Sequence, residues 1–114
     1  MTVNIEARRK DFMRVVAEIA DEQSQRRAWF GHGLEVASPD EQFNMFFDDL
    51  AAEEFLSRKD NGFIARQQQA AQILYNLMDN LADALPKKID PKELIDDPRW
   101  IAVRAAAAQL LALI

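Results

Sequence analysis

Apolar positions recur at helical spacing along nearly the whole chain. Ile5, Phe12, Val15, Val16 and Ile19 are separated by seven, three, one and three residues, the stripe of an amphipathic helix running from about Asn4 to Arg27. Gly31 and Gly33 end it, with Trp29 and Phe30 at its exit. Ser38-Pro39-Asp40-Glu41 then reads as a helix start, with a capping serine, proline at the first helical position and a glutamate placed for a capping box. Phe43, Phe46, Phe47 and Leu50 follow on one side, whereas Phe55 and Leu56 fall out of phase. That slip predicts a kink, or a second short helix, near Ala51-Ala52. Asp60-Asn61-Gly62 reads as a turn.

A third helix is predicted from about Phe63 to Leu85, on the stripe Ile64, Ala71, Leu74, Leu77, Met78, Leu81 and Leu85, and Pro86 stops it. Asp90-Pro91-Lys92-Glu93 starts a short helix. Asp97-Pro98 starts the last one, with Trp100, Ile101, Ala105, Ala108, Leu111 and Ile114 expected to face inward. Period-two alternation of β-branched residues is missing. The expectation is an all-α, compact, single-domain bundle of about five helices over residues 1–114, with no sheet.

Composition narrows the chemistry. At 114 residues, 49% hydrophobic and 29% charged, the chain suits one soluble globular domain. It has no cysteine, which excludes a disulfide framework, a thiolate nucleophile and a cysteine metal site. No apolar run reaches the roughly 18 residues needed to span a bilayer, and the N-terminal residues lack a signal-peptide core. A cytoplasmic protein is expected. An isoelectric point near 4.8 argues against direct binding of nucleic acid, whose phosphates would meet a like-signed surface.

The charge is concentrated. Between Ser38 and Asp60 stand Asp40, Glu41, Asp48, Asp49, Glu53, Glu54 and Asp60 against only Arg58 and Lys59, an excess of five that equals the net charge of the chain. From Asp40 to Glu54 there is no base at all. A solvated helix face usually alternates signs, because like charges three or four residues apart repel by a few tenths of a kcal/mol. The pattern therefore points to a docking surface for a basic protein. Asp40, Glu41, Asp48, Asp49, Glu53 and Glu54 would supply the field, and Trp29, Phe30 and Phe55 a desolvated centre.

Other chemistry is less well marked. Asp49 with Glu53 and Asp79 with Asp83 repeat a carboxylate spacing that could hold Mg²⁺ or Mn²⁺ between facing helices, as in all-α nucleotide pyrophosphohydrolases. The chain departs from their paired motifs: it has no Glu-x-x-Glu, and the Glu-x-x-Asp from Glu18 to Asp21 precedes the cluster. His32, between two glycines, has no nucleophile placed beside it by any motif, and Arg8-Arg9-Lys10 is a short solvated basic run. Neither a catalytic centre nor a metal or cofactor is expected.

Trp29 with its following glycine, Ser38-Pro39-Asp40-Glu41, Phe46-Phe47-Asp48-Asp49, Phe55-Leu56 and Asp96-Asp97-Pro98-Arg99-Trp100 form a set that resembles small acidic all-α immunity proteins of bacterial polymorphic toxin and contact-dependent inhibition systems. The resemblance spans about Trp29 to Trp100. It implies inhibition of a toxin, often a basic nuclease, by covering its active site or a neighbouring surface. A homodimer that buries the Phe46/Phe47 side between subunits is the structural alternative.

Overall fold

A computed structural model describes residues 4–31 and 38–114. The described residues are helical and contain no strand: α1 (Ile5–Ala20), α2 (Glu22–Trp29), α3 (Pro39–Asn44), a π-helical turn (Met45–Asp49), α4 (Ala52–Ser57), α5 (Ala65–Ala84), α6 (Pro91–Ile95) and α7 (Pro98–Ala112). The all-α expectation holds, but the described residues form seven α-helices rather than about five. Two breaks account for much of the difference.

The first break divides the long helix expected from Asn4 to Arg27. Asp21 is extended (φ −97°, ψ 91°), and its carboxylate accepts a hydrogen bond from the Ser24 amide at 3.0 Å, capping α2. Gln25, 3% exposed, fills the corner. Its amide nitrogen donates to the carbonyls of Glu18 (2.9 Å) and Ile19 (2.8 Å), and its oxygen accepts from Trp100 Nε1 at 3.1 Å. Carbonyls that lose helical partners at the break are thus repaid by one side chain.

The second break is where the phase slip placed it. The π-helical turn ends at Leu50, and Ala51 is left-handed (φ 49°, ψ 56°), the one non-glycine residue with positive φ among those described. At the following turn, Gly62 has φ 87°, and a β-carbon there would run into the Arg9 guanidinium. Asn61, 3% exposed, holds that turn by donating to the Gln68 side chain (2.8 Å) and accepting from the Phe63 amide (2.9 Å).

The core is assembled by α7, which packs along α1 on one side and α5 on the other. α5 and α7 are antiparallel: Gln67 near the start of α5 donates to the Leu113 carbonyl just after α7, at 2.9 Å. Phe12, Val15, Val16 and Ile19 of α1 are buried as expected, as are Ala71, Leu74, Met78 and Leu81 of α5. Ile64 is exposed instead, at the N-cap of α5.

The inward face of α7 is a correction. Trp100 is buried, but its companions are Val103, Ala106, Ala107 and Leu110, while Ile101, Ala105, Ala108 and Ile114 are exposed and Leu111 is half-buried. α7 is apolar nearly all round, so periodicity alone does not choose a face. Two contacts agree with the observed rotation: Trp100 reaches Gln25, and Arg104 pairs with Glu22 at 3.0 Å. No described helix is long and apolar enough to cross a membrane.

Candidate docking surface

The acidic segment is built on α3, the π-helical turn and α4. Ser38 caps α3 by accepting from the Glu41 amide at 3.4 Å, and Pro39 occupies its first turn. Asp40 and Glu41 therefore sit in the first turn of α3, and Glu53 and Glu54 in that of α4, where carboxylates are favoured by the exposed peptide N–H groups. Burial of Phe43, Phe46, Ala52, Phe55 and Leu56 turns the opposite side inward. Asp40, Glu41, Asp48, Asp49, Glu53 and Glu54 are all left exposed.

The segment is not electrostatically uniform. At its far end, cations of the same molecule answer the acids. Arg8 of α1 pairs with Glu54 at 2.7 Å, donates to the Leu50 carbonyl at 3.4 Å, and lies 5.3 Å from the centre of the Phe55 ring. Arg58 reaches Glu54 at 3.2 Å and Asp60 at 2.9 Å. Arg8 first and Arg58 second hold the Glu54 carboxyl below its usual range, and Arg58 does the same for Asp60. Glu53 lies beside Tyr75, whose hydroxyl is pushed above its ordinary value by burial first, then by Glu53 and Asp79.

At the near end the described residues give no such answer. Among the described residues, no lysine or arginine forms an ion pair with Asp40, Glu41, Asp48 or Asp49. Phe47 and Leu50 are half-buried beside them and packed on the core. Phe47 lies edge-on to Tyr75, with ring centroids 5.7 Å apart.

Two of the aromatics expected at the centre of a contact are elsewhere. Phe55 is 1% exposed and sits among Phe12 (5.2 Å between centroids) and Phe63 (5.9 Å). Trp29 is 9% exposed and packs on Trp100 at 5.5 Å. Both are core residues, because burying their large apolar area outweighs what either would gain at the surface. Phe30 is half-buried against the core. The Phe46/Phe47 side is likewise occupied within the chain: Phe46 is fully buried and touches Phe12 and Tyr75.

His32 and Gly33 lie outside the described residues. Among the described residues, no three histidine, aspartate or glutamate side chains are grouped so as to hold a metal ion, so Asp49, Glu53, Asp79 and Asp83 do not make one site. Sequence reasoning missed Arg8, which stands 46 residues before Glu54 and carried no local sign of that pairing. No protein-family model, curated protein or solved structure matches this chain, so the functional argument rests on its surface.

Proposed function

We propose that the protein is a non-enzymatic binding module that docks a basic protein through the α3 end of its acidic segment, most concretely as an immunity-type inhibitor of a basic toxin. The observation that supports this reading is the asymmetry of the segment. Glu54 and Asp60 are neutralised internally, whereas Asp40, Glu41, Asp48 and Asp49 are exposed without a cationic partner among the described residues. Four such carboxylates speed encounter with a positive surface, and half-buried Phe47 and Leu50 offer apolar area at the border of the contact. In a nuclease toxin the groups engaged would be the lysines and arginines that otherwise bind nucleic acid phosphates. The protein would act in the cytoplasm, beside the toxin's target.

The test is an association-rate measurement against a basic toxin domain, sought first among the products of the adjacent genes. Asp48→Lys with Asp49→Lys should keep the fold and slow association about tenfold or more, and added salt should slow the wild type towards the variant. Equal rates for the two proteins would refute the electrostatic role. Glu54→Gln, at the internally neutralised end, should change the rate far less.

A further inference from the structure

The turn between α4 and α5 carries a chemistry that the docking surface does not use. Asn61-Gly62 is the one asparagine–glycine pair in the chain; Asn4, Asn44, Asn76 and Asn80 precede isoleucine, methionine, leucine and leucine. The side-chain carbonyl of an asparagine can be attacked by the peptide nitrogen of the next residue, and glycine, without a β-carbon, hinders that approach least. Here Gly62 has φ 87°, and the asparagine before it is 3% exposed.

The Asn61 amide is also a clamp. Its nitrogen donates to Gln68 Oε1 of α5 at 2.8 Å and to the Phe55 carbonyl of α4 at 3.4 Å, and its oxygen accepts from the Phe63 amide at 2.9 Å. Gln68 in turn donates to the Leu56 carbonyl at 2.8 Å. Two side-chain amides thus tie the last turn of α4 to the start of α5, and the nitrogen that would have to leave is held by two acceptors. We infer that Asn61 is a deamidation site gated by the opening of this turn, and that its conversion releases the clamp for good. In the open turn the Gly62 nitrogen loses its proton to base and bonds to the side-chain carbonyl carbon of Asn61. The bond from that carbon to the side-chain nitrogen breaks, and ammonia leaves a cyclic succinimide. Water then opens the ring at either carbonyl, to aspartate or isoaspartate, so the sum is water in and ammonia out. Either product puts a carboxylate where a donor stood, facing the Gln68 oxygen and the Phe55 carbonyl and next in sequence to Asp60. A buried charge opposite two acceptors keeps the turn from closing as before.

The experiment incubates the full chain at mildly alkaline pH in native buffer, in urea below the unfolding midpoint and in denaturing urea. Ammonia release and the mass of the peptide carrying Asn61 are read over time. Conversion is expected at Asn61 ahead of the other four asparagines. It should run about a hundredfold or more slower in native buffer than in the unfolded chain, and rise with urea below the midpoint. Gln68→Met, shown to be folded by circular dichroism, should speed it about tenfold or more in native buffer. Asn61→Asp should lower Tm by about 4 °C or more. A native rate equal to that of the unfolded chain overturns the gate, and so does a native rate that neither urea nor Gln68→Met raises. An Asn61→Asp protein as stable as the wild type overturns the release of the clamp.

Discussion

Phe46 and Phe55 stand nine residues apart, about two and a half helical turns, which would put them on opposite sides of an uninterrupted helix. Both nevertheless close on the Phe12 ring, at 5.8 and 5.2 Å. The π-helical turn and the left-handed Ala51 between them are what reset the phase, so that each phenylalanine is buried. Burying two aromatic rings contributes several kcal/mol, more than the cost of one strained alanine.

That strain is removable. A left-handed alanine costs about 1–2 kcal/mol that glycine does not incur, partly offset by the greater freedom of glycine in the unfolded chain. Ala51→Gly should therefore raise stability by about 1 kcal/mol and Tm by about 4 °C, whereas Ala51→Val should lower both. A thermal melt of the three proteins checks this. A drop in Tm for the glycine variant would mean that position 51 is not left-handed in solution.

Gln25 ties the end of α1 to α7, donating to the Glu18 and Ile19 carbonyls and accepting from Trp100 Nε1. Gln25→Leu keeps the volume and deletes every one of those bonds. The expected cost is about 2–3 kcal/mol, read by chemical denaturation, with a red shift in tryptophan emission as the Trp100 environment loosens. Gln25→Glu should be costlier still, since it places a charge in the same corner.

Tyr75 is the single tyrosine of the chain, so its ionisation can be followed by absorbance alone. Its hydroxyl is held above the ordinary value near 10 by burial, and then by the Glu53 and Asp79 carboxylates. Folding thus favours the neutral form: this stabilisation is complete below pH 10 and is lost as pH rises through the higher folded value. The folded protein should titrate above pH 10 and the denatured chain near it. Glu53→Gln should move the folded midpoint down; an unmoved midpoint would separate Glu53 from the hydroxyl.

Most of the architecture was legible in local signals. Proline after serine or aspartate marked the starts of α3, α6 and α7, and the phase of Phe55 and Leu56 marked the break at Ala51. The break at Asp21 was hidden because the α1 pattern shows no interruption there, and the residue that fills the corner, Gln25, is polar. The face of α7 was misread because both of its sides are apolar. What local spacing does not show is pairing across distance. Arg8 and Glu54 lie on different helices, and only the packing of α1 against the acidic segment reveals that one end of that segment is already neutralised.

Helices as short as the six residues of α4 have no independent existence in water. α4 persists because Arg8 holds the carbonyl before it and the carboxylate within it, while Phe55 is anchored against α1 and Gln68 of α5 bonds the Leu56 carbonyl at 2.8 Å. Its lifetime is therefore borrowed. When the first turns of α1 fray, amide protons near Phe55 become open to solvent exchange with them, and the start of the chain sets the rhythm at which its middle breathes.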